Sequence, residues 1–278
     1  MNKSKEKFMA AVFFASALIS ILAVGLICVF LFVNGIPALF KIGTLEFLGG
    51  SQWSPMDQPA YYGILPMIVG SLYVTAGAII LGVPIGVLSS IFMAWICPPR
   101  LYKWIKPAVD LLAGIPSVVY GFFGIAIIVP LTGNSIVSAS ILLGIMILPT
   151  VISIAESALR ATPRQYYEGA LALGAGPYRS LFYVVLPAAK NGILAAVVLG
   201  IGRAIGETMA VIMVAGNQAR MPVSLFKGVR TLTANIVIEM GYAADLHRGA
   251  LIATGVVLFV FILIINISFS ALVRKDRG

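Results

Sequence analysis

Residues 168–187 read EGALALGAGPYRSLFYVVLP, a stretch that favours helix at both ends. Gly174, Gly176 and Pro177 interrupt it in the middle, and glycine and proline are the residues that most disfavour a continuing helix. The stretch therefore predicts a helix-turn-helix that lies at one face of the structure formed by the flanking segments.

Four residues give this helix-turn-helix a partly apolar surface: Leu171, Leu181, Phe182 and Tyr183. Two interpretations of that surface stay open. It either docks a soluble partner protein, or it belongs to an amphipathic helix pair that lies in a membrane interface and covers the ends of the spans.

The composition of the whole chain indicates whether water or a lipid bilayer surrounds it. Of 278 residues, 60% are hydrophobic and 10% charged, and the mean hydropathy is +1.03; a soluble domain carries about 25% charged residues. These values exclude a soluble globule and predict an all-α, polytopic membrane protein.

Six apolar runs are long enough to cross about 30 Å of hydrocarbon. They are 8–33, 70–96, 111–131, 136–154, 189–215 and 250–273. The first lacks a small-residue cleavage site, which predicts a retained span.

The distribution of Lys and Arg predicts the orientation of these six spans. With the N-terminus in the cytoplasm, 13 cationic residues fall on the inner side and 5 on the outer side, while Arg203 lies inside a span. Cytoplasmic loops carry the excess of positive charge, so both termini are predicted to be cytoplasmic. The net charge of +9 then needs no nucleic acid as a partner.

The residues that metals, cofactors and catalysis require are scarce. Cys28 and Cys97 lie apart in apolar segments, and the single histidine, His247, is predicted to be a solvated outer-loop residue. The chain contains no Gly-Lys dipeptide, which the phosphate-binding Walker A loop needs. We therefore expect no metal, no cofactor and no enzymatic activity, with any ATP hydrolysis carried out by a separate polypeptide.

Two long outer connections, 34–69 and 216–249, are predicted. The first contains an aromatic and proline-rich group, namely Trp53, Pro55, Tyr61, Tyr62 and Pro66. Such residues form either an interfacial aromatic belt, which is the favoured interpretation, or a surface that meets another protein.

Ionisable side chains inside the spans are few. Arg203 lies near the middle of the fifth run, where a cation costs about 2.5–3.5 kcal/mol on the insertion scale, with Glu207 four residues further on. A translocated anion is the favoured partner of Arg203, and a structural ion pair with Glu207 is the alternative. For Asp110 and Glu156, snorkelling or capping of helix ends is favoured.

The third run is predicted to kink at Pro116, because proline removes a backbone hydrogen bond and clashes with the preceding turn. Freed N–H groups and the Ser117 hydroxyl could then meet an anion, although an ordinary packing kink is equally compatible. Two glycine pairs at four-residue spacing, Gly82/Gly86 and Gly202/Gly206, predict close helix contacts.

The inner connection resembles a known signature. Glu168, Gly169 and Ala170, then three residues, Gly174, nine residues and a segment ending in Leu186–Pro187 are similar to the EAA-x3-G-x9-I-x-LP loop of ABC importer permeases. Gly169 and Val184 replace that pattern's Ala and Ile. The resemblance implies the MetI-like permease fold, in which this loop, 155–188, is the coupling element that seats in a groove of an ATPase subunit.

Further motifs resemble the phosphate-specific transport permeases of the PstC type. They are residues 111–121, reading LLAGIPSVVYG, residues 202–208, reading GRAIGET, and Phe47-Leu48 followed by Trp53-Ser54-Pro55. Asp110 stands where that branch is expected to have Glu. The resemblance divides the chain into a first helix with its outer loop, 1–62, and a five-helix permease core with a short cytoplasmic tail, 63–278.

What the resemblance implies is a subunit that imports inorganic phosphate by alternating access in the cell (inner) membrane. Its partners would be a second homologous permease, two ATPase subunits, an extracytoplasmic phosphate-binding protein and the lipid bilayer. Arg203, Glu207 and Ser117 would line the substrate path. Another oxyanion, such as molybdate or sulfate, is the alternative substrate, and a self-sufficient secondary carrier is less favoured because no inverted repeat is evident.

Overall fold

The computed structural model describes residues 3–275, with side chains described for 6–268 and 271, so the predicted tail residue Arg277 lies outside the described part. Within it, helices account for nearly all regular structure. They are α1 Lys3–Ile42, α2 Thr44–Gly49, α3 Leu65–Ile91, α4 Pro99–Gly114, α5 Ser117–Phe123, α6 Val129–Thr132, α7 Ile136–Ala161, α8 Arg164–Ala172, α9 Pro177–Ser180, α10 Leu186–Ala188, α11 Lys190–Gly206, α12 Met209–Val214, α13 Leu232–Glu239 and α14 Asp245–Lys275.

Short π-helical segments continue three of these helices: Phe92–Ile96 after α3, Gly124–Ile128 after α5 and Leu181–Val185 after α9. The two strands, β1 Trp53–Ser54 and β2 Tyr61–Tyr62, pair in antiparallel register as a small hairpin in the first outer connection. The all-α class predicted from the composition is confirmed.

In the described residues, four continuous helices are long and apolar enough to cross a membrane, and two bent helix pairs raise the number to six if each pair crosses once. The continuous ones lie in α1, in α3 with its π segment, in α7 and in α14. The pair 99–114 and 117–132 bends by 100°, and the pair 177–188 and 190–206 bends by 72°. Six spans were predicted. The first bent pair contains the predicted third run, 111–131, whereas the second bends where the predicted fifth run, 189–215, was expected to begin and ends at Gly206.

Helix α7 is the centre of the bundle. Two thirds of the residues in its most apolar stretch are buried, whereas none are buried in the corresponding stretch of α1. Helix α3 packs closely on α7 because Gly82 and Gly86 leave room: a Cβ atom at Gly82 would lie 2.7 Å from the Gly144 carbonyl oxygen. The packing role predicted for this glycine pair is confirmed. Gly202 and Gly206 have nothing within 4 Å of such an atom, so this second pair makes no close contact within the described residues of the chain, and its predicted packing role stays a prediction.

Separate apolar clusters close the two ends of the bundle. At one end, Phe47, Ile64 and Leu251 join the first outer connection to α14. At the other end, Leu159 and Leu181 join α7 to the inner connection. Helix α1 packs on α14, where Phe32 meets Phe259 edge to face. The long connections therefore alternate between the two ends, as the predicted topology requires.

Candidate functional site

Arg203 lies in the last turn of α11 and is half-buried. Its Nη1 lies 3.4 Å from the Thr150 hydroxyl of α7, to which it donates a long hydrogen bond. Gly202 and Gly206 flank it with open space on their sides of the helix. In the described part of the chain, the guanidinium thus has one long hydrogen bond to a protein side chain and no ion pair.

Glu207 ends helix α11 instead of continuing it. Its ψ of 132° is extended, and α12 begins only at Met209. The Glu207 Oε1 atom accepts a hydrogen bond of 3.2 Å from the Ala210 N–H and so caps the first turn of α12. Within the described residues, no ion pair joins Arg203 to Glu207, and the continuous helix 189–215 on which that pairing was predicted is broken.

The third span breaks at the predicted place. Ile115 and Pro116 are extended, with ψ of 128° and 142°, and Ser117 opens α5 as a half-buried residue. The buried Tyr120 hydroxyl donates a 2.8 Å hydrogen bond to the Leu112 carbonyl across the bend. This bond satisfies a carbonyl at the end of α4 and fixes the geometry of the break.

The two breaks lie close together in the bundle. Tyr120, Ala204 and Ala210 belong to one buried cluster, in which Ile115 is a partly buried neighbour. The fold therefore brings the interrupted third span to the end of α11 that carries Arg203.

The inner connection is the predicted helix-turn-helix. Helices α8 and α9 flank Gly174, whose φ of +85° is the left-handed conformation that favours glycine. Glu168, Gly169 and Gly174 are exposed, and Ala170 is half-buried.

The second half of this element turns back onto the bundle. Leu186 packs against the end cluster and Pro187 is exposed. Phe182 and Tyr183 are exposed as predicted, but Leu181 is buried against α7 and is not available to a partner. The face that remains outward is the α8 side with the turn and the two aromatic rings.

Glu156 forms a buried network that sequence reasoning missed. It is 2% exposed and accepts hydrogen bonds from the Tyr102 hydroxyl at 2.7 Å and from Arg160 Nε at 2.8 Å. Lys106 Nζ lies 3.4 Å away and also pairs with the half-exposed Asp110 at 3.1 Å. The prediction of snorkelling or helix capping is wrong for Glu156, whose charge joins α4 to α7.

A second buried network lies at the opposite end, around Glu239. Its Oε2 accepts a 2.9 Å hydrogen bond from the Trp53 indole and lies 2.8 Å from His247 Nε2, while Oε1 pairs with Arg230. His247 is 6% exposed, so its prediction as a solvated residue is wrong, and Trp53 is buried and no part of an interfacial belt. Burial, together with the nearby Glu239 carboxylate, raises the pKa of the neighbouring Tyr242 phenol.

Neither network was evident in the sequence. Trp53 and Glu239 are 186 residues apart. The single signal was the low number of charged residues, which makes each charge in or near a span noteworthy. Among residues 3–275, no three His, Cys, Asp or Glu side chains are close enough together to hold a metal ion.

The described residues form a bundle of apolar helices with an exposed helix-turn-helix at one end and with helix breaks at Pro116 and Glu207 near a half-buried arginine, an arrangement that fits a membrane transport permease. Its family is established by comparison. The chain belongs to the family described as the binding-protein-dependent transport system inner membrane component, whose sequence profile matches residues 82–277. It is therefore a permease subunit of an ABC importer and a multi-pass membrane protein.

Relatives of known name cover nearly the whole chain. The probable ABC transporter permease protein YqgH of Bacillus subtilis is 40% identical over 91% of this chain and 87% of the relative. The phosphate transport system permease protein PstC of Mesorhizobium japonicum is 33% identical over 94% of this chain and 88% of the relative. The resemblance to the phosphate-specific branch is thereby confirmed.

Solved structures share the fold at low sequence identity. A bacterial alginate ABC transporter, in complex with an alginate-bound periplasmic protein, matches 99% of this chain and 98% of its own with a TM-score of 0.69 and 14% identity. The MetNI methionine ABC transporter matches 76% of this chain and 95% of its own with a TM-score of 0.64 and 19% identity. The predicted MetI-like permease fold is confirmed.

Proposed function

We propose that this permease subunit imports inorganic phosphate by alternating access, with Arg203, Glu207 and Ser117 along the substrate path. The observation that carries the proposal is the half-buried Arg203 guanidinium, which has one long hydrogen bond and open space beside Gly202 and Gly206. A guanidinium presents a planar fork of N–H donors that matches phosphate oxygens. The PstC relatives support phosphate as the anion.

The two helix breaks beside Arg203, at Pro116 and at Glu207, explain why this place suits an anion. Backbone that leaves its helix inside a membrane must be buried in protein or line a polar cavity. Ser117 stands at one interruption and Glu207 at the other, with Arg203 one turn before it. Glu207 repels a free anion, so it would favour release once the contact with Arg203 is lost.

The inner connection, predicted as 155–188, would couple this path to ATP hydrolysis on a separate subunit. Because α7 extends to Ala161, the helix-turn-helix of this connection begins with α8 at Arg164. Glu168, Gly169, Ala170 and Gly174 lie on its outward part, and Leu186 with Pro187 lead back into the bundle. The complete importer would contain a second homologous permease, two ATPase subunits and an extracytoplasmic phosphate-binding protein. It would sit in the inner membrane with both termini in the cytoplasm.

The experiment is phosphate import into proteoliposomes that contain the complete importer, with Arg203→Ala, Arg203→Lys and, as the matched control, Arg248→Lys at an exposed outer position. Both Arg203 variants are expected to assemble and hydrolyse ATP but to import at least about tenfold more slowly, since a hydrogen bond to a charged group is worth about 1.5–3 kcal/mol. Arg248→Lys should import normally.

Normal import by Arg203→Lys at matched protein levels would contradict the path. Competition with sulfate and molybdate tests the anion separately. If either of them, and not phosphate, is imported by the unaltered complex, the substrate assignment is wrong while the role of Arg203 is still measured with that anion.

A further inference from the structure

We propose that Thr233 is a positioning residue for the substrate path, and that the Glu239 network anchors it. Thr233 and this network would together determine the backbone conformation at Glu207, through contacts that extend from the outer end of the molecule. The expected effect on phosphate import rests on the proposed function, whereas the expected effect on the backbone at Glu207 does not.

The break after α11 leaves the Glu207 carbonyl without a helical partner. Thr233, in the first turn of α13, supplies one: its Oγ1 donates a 3.1 Å hydrogen bond to the Glu207 carbonyl oxygen. The two residues are 26 positions apart, so this is a tertiary contact. An unpaired carbonyl in a buried site is costly, and the contact therefore holds the broken backbone in one conformation.

The direction of the hydrogen bonds is determined by a short chain of hydroxyls. Each threonine hydroxyl has one proton. Because Thr233 gives its proton to Glu207, the hydroxyl of Thr231, 3.1 Å away, must donate to Thr233. Thr231 Oγ1 also accepts from the Ala234 N–H at 3.3 Å, which caps α13. All three hydrogen bonds can therefore form at the same time, and all three involve residues at the start of α13.

Helix α13 is in turn fixed at its other end by Glu239, its last residue. The buried Glu239 carboxylate meets Trp53 of the first outer connection, His247 of α14 and Arg230 of the segment before α13. Arg230 additionally donates to the Asn217 carbonyl at 3.1 Å and to Asn235 Oδ1 at 3.0 Å. Near its start, α13 is held by a 3.0 Å hydrogen bond from the Leu232 N–H to Ser71 of α3.

These contacts form a continuous connection from both outer connections through α13 to the break beside Arg203. A force applied to either outer connection, as when a partner binds there, reaches Glu207 through Thr233. Arg203 is one helical turn from that backbone, so the position of its guanidinium depends on how firmly the break is held.

The test follows the backbone conformation at the break through the reactivity of a thiol at position 206. Gly206 is exposed and next to Glu207. Gly206→Cys is introduced into a chain that carries Cys28→Ala and Cys97→Ala, within the complete importer, and its rate of reaction with N-ethylmaleimide is compared across variants. Thr233→Val removes the hydroxyl at constant volume, Thr233→Ser keeps it, and Glu239→Gln weakens the anchor.

Thr233→Val and Glu239→Gln are expected to change the labelling rate about three- to tenfold, the size of effect that one lost buried hydrogen bond produces in an equilibrium. Thr233→Ser should label as the unaltered chain does. The matched control is Thr254→Val, since the fully buried Thr254 hydroxyl bonds only to the Ala250 carbonyl of its own helix in the described structure.

Phosphate import is measured on the same variants without Gly206→Cys. We expect Thr233→Val to lower the maximal rate by a similar factor at unchanged protein level, with recovery in Thr233→Ser. An unchanged labelling rate in Thr233→Val, or equal rates in Thr233→Val and Thr233→Ser, would overturn the inference. If labelling changes as expected but the unaltered complex imports no phosphate, the proposed function fails and the positioning role stands.

Discussion

Glu156 carries its charge in a site that is almost closed to solvent, because three donors from two helices surround it. Tyr102 and Lys106 come from α4 and Arg160 from the next turn of α7. Arg160 also stacks over the Tyr102 ring at 4.6 Å and donates to the Met93 carbonyl at 2.9 Å. A single carboxylate thus holds α4, α7 and the π segment after α3 together.

Replacing this carboxylate should destabilise the protein measurably. In Glu156→Ala the half-buried Tyr102 hydroxyl loses its acceptor, while Lys106 and Arg160, which are partly exposed, regain water. We therefore expect a loss of about 1.5–3 kcal/mol in the free energy of unfolding, the range for a hydrogen bond to a charged group, and not the larger cost of a fully buried unpaired charge.

The measurement is the midpoint of thermal unfolding of the purified complex in detergent. Asp57→Ala, which removes an exposed outer carboxylate, is the control and should leave the midpoint unchanged. A midpoint that falls equally in both variants would show that the Glu156 network contributes no stability.

At the scale of elements, the important features are the places where a helix stops inside the bundle. The third span stops at Pro116, whose ring cannot continue the helical hydrogen bonding. The fifth stops at Glu207 without any proline, and there the Ala210 N–H and the Glu207 carbonyl are satisfied by side chains. The inner connection turns at Gly174 through a left-handed residue.

The turn at Gly174 offers a test with a matched control. Gly174→Ala places a Cβ at φ +85°, which costs about 1–2 kcal/mol for an L-residue, whereas Gly176→Ala is at an ordinary φ of −69°. Both sites are open, with nothing within 4 Å of an added Cβ. The two variants should therefore differ in backbone strain and not in the contacts of the added methyl group.

We expect Gly174→Ala to lower phosphate import and the amount of ATPase subunit that co-purifies, at an unchanged amount of inserted permease. Gly176→Ala should behave as the unaltered protein. Equal behaviour of the two variants would contradict a requirement for this turn geometry in coupling.

On the scale of the whole molecule, α7 is enclosed and α1 is peripheral. The apolar residues of α1 are largely exposed within the chain, in contrast to the fully buried Leu142 and Ile147 of α7. Lipid or another subunit must cover that surface, because so large an apolar area is not stable in water. In the sequence, 13 cationic residues fall on the predicted inner side and 5 on the predicted outer side.

This charge difference predicts which end faces the cytoplasm. Single thiols at positions 97, 52 and 218 test it, with Cys28 replaced and an impermeant maleimide added to intact cells. Gln52 and Gln218 are exposed in the two connections that are predicted to face outward, and Cys97 follows the π segment at the other end. We expect labelling of Gln52→Cys and Gln218→Cys and protection of Cys97 until the cells are opened. Labelling of Cys97 in intact cells would reverse the orientation.

The sequence alone determined the features that depend on local composition. Apolar runs predicted the spans, Pro116 predicted the first break, and Gly174 with its neighbours predicted the inner helix-turn-helix. Each of these follows from the preferences of residues that are adjacent in the chain. The Gly82/Gly86 pair was also interpreted correctly, because small residues one turn apart mark a close helix contact.

Only the tertiary structure decided which polar groups are paired. His247, Trp53 and Glu156 were assigned to solvent, a belt and a helix end, yet all three are buried in networks whose members come from distant parts of the chain. The break at Glu207 escaped prediction for the same reason: its stability comes in part from Thr233, 26 residues away. Whether a buried polar atom is satisfied depends on distances between elements, and those are set by how the helices pack.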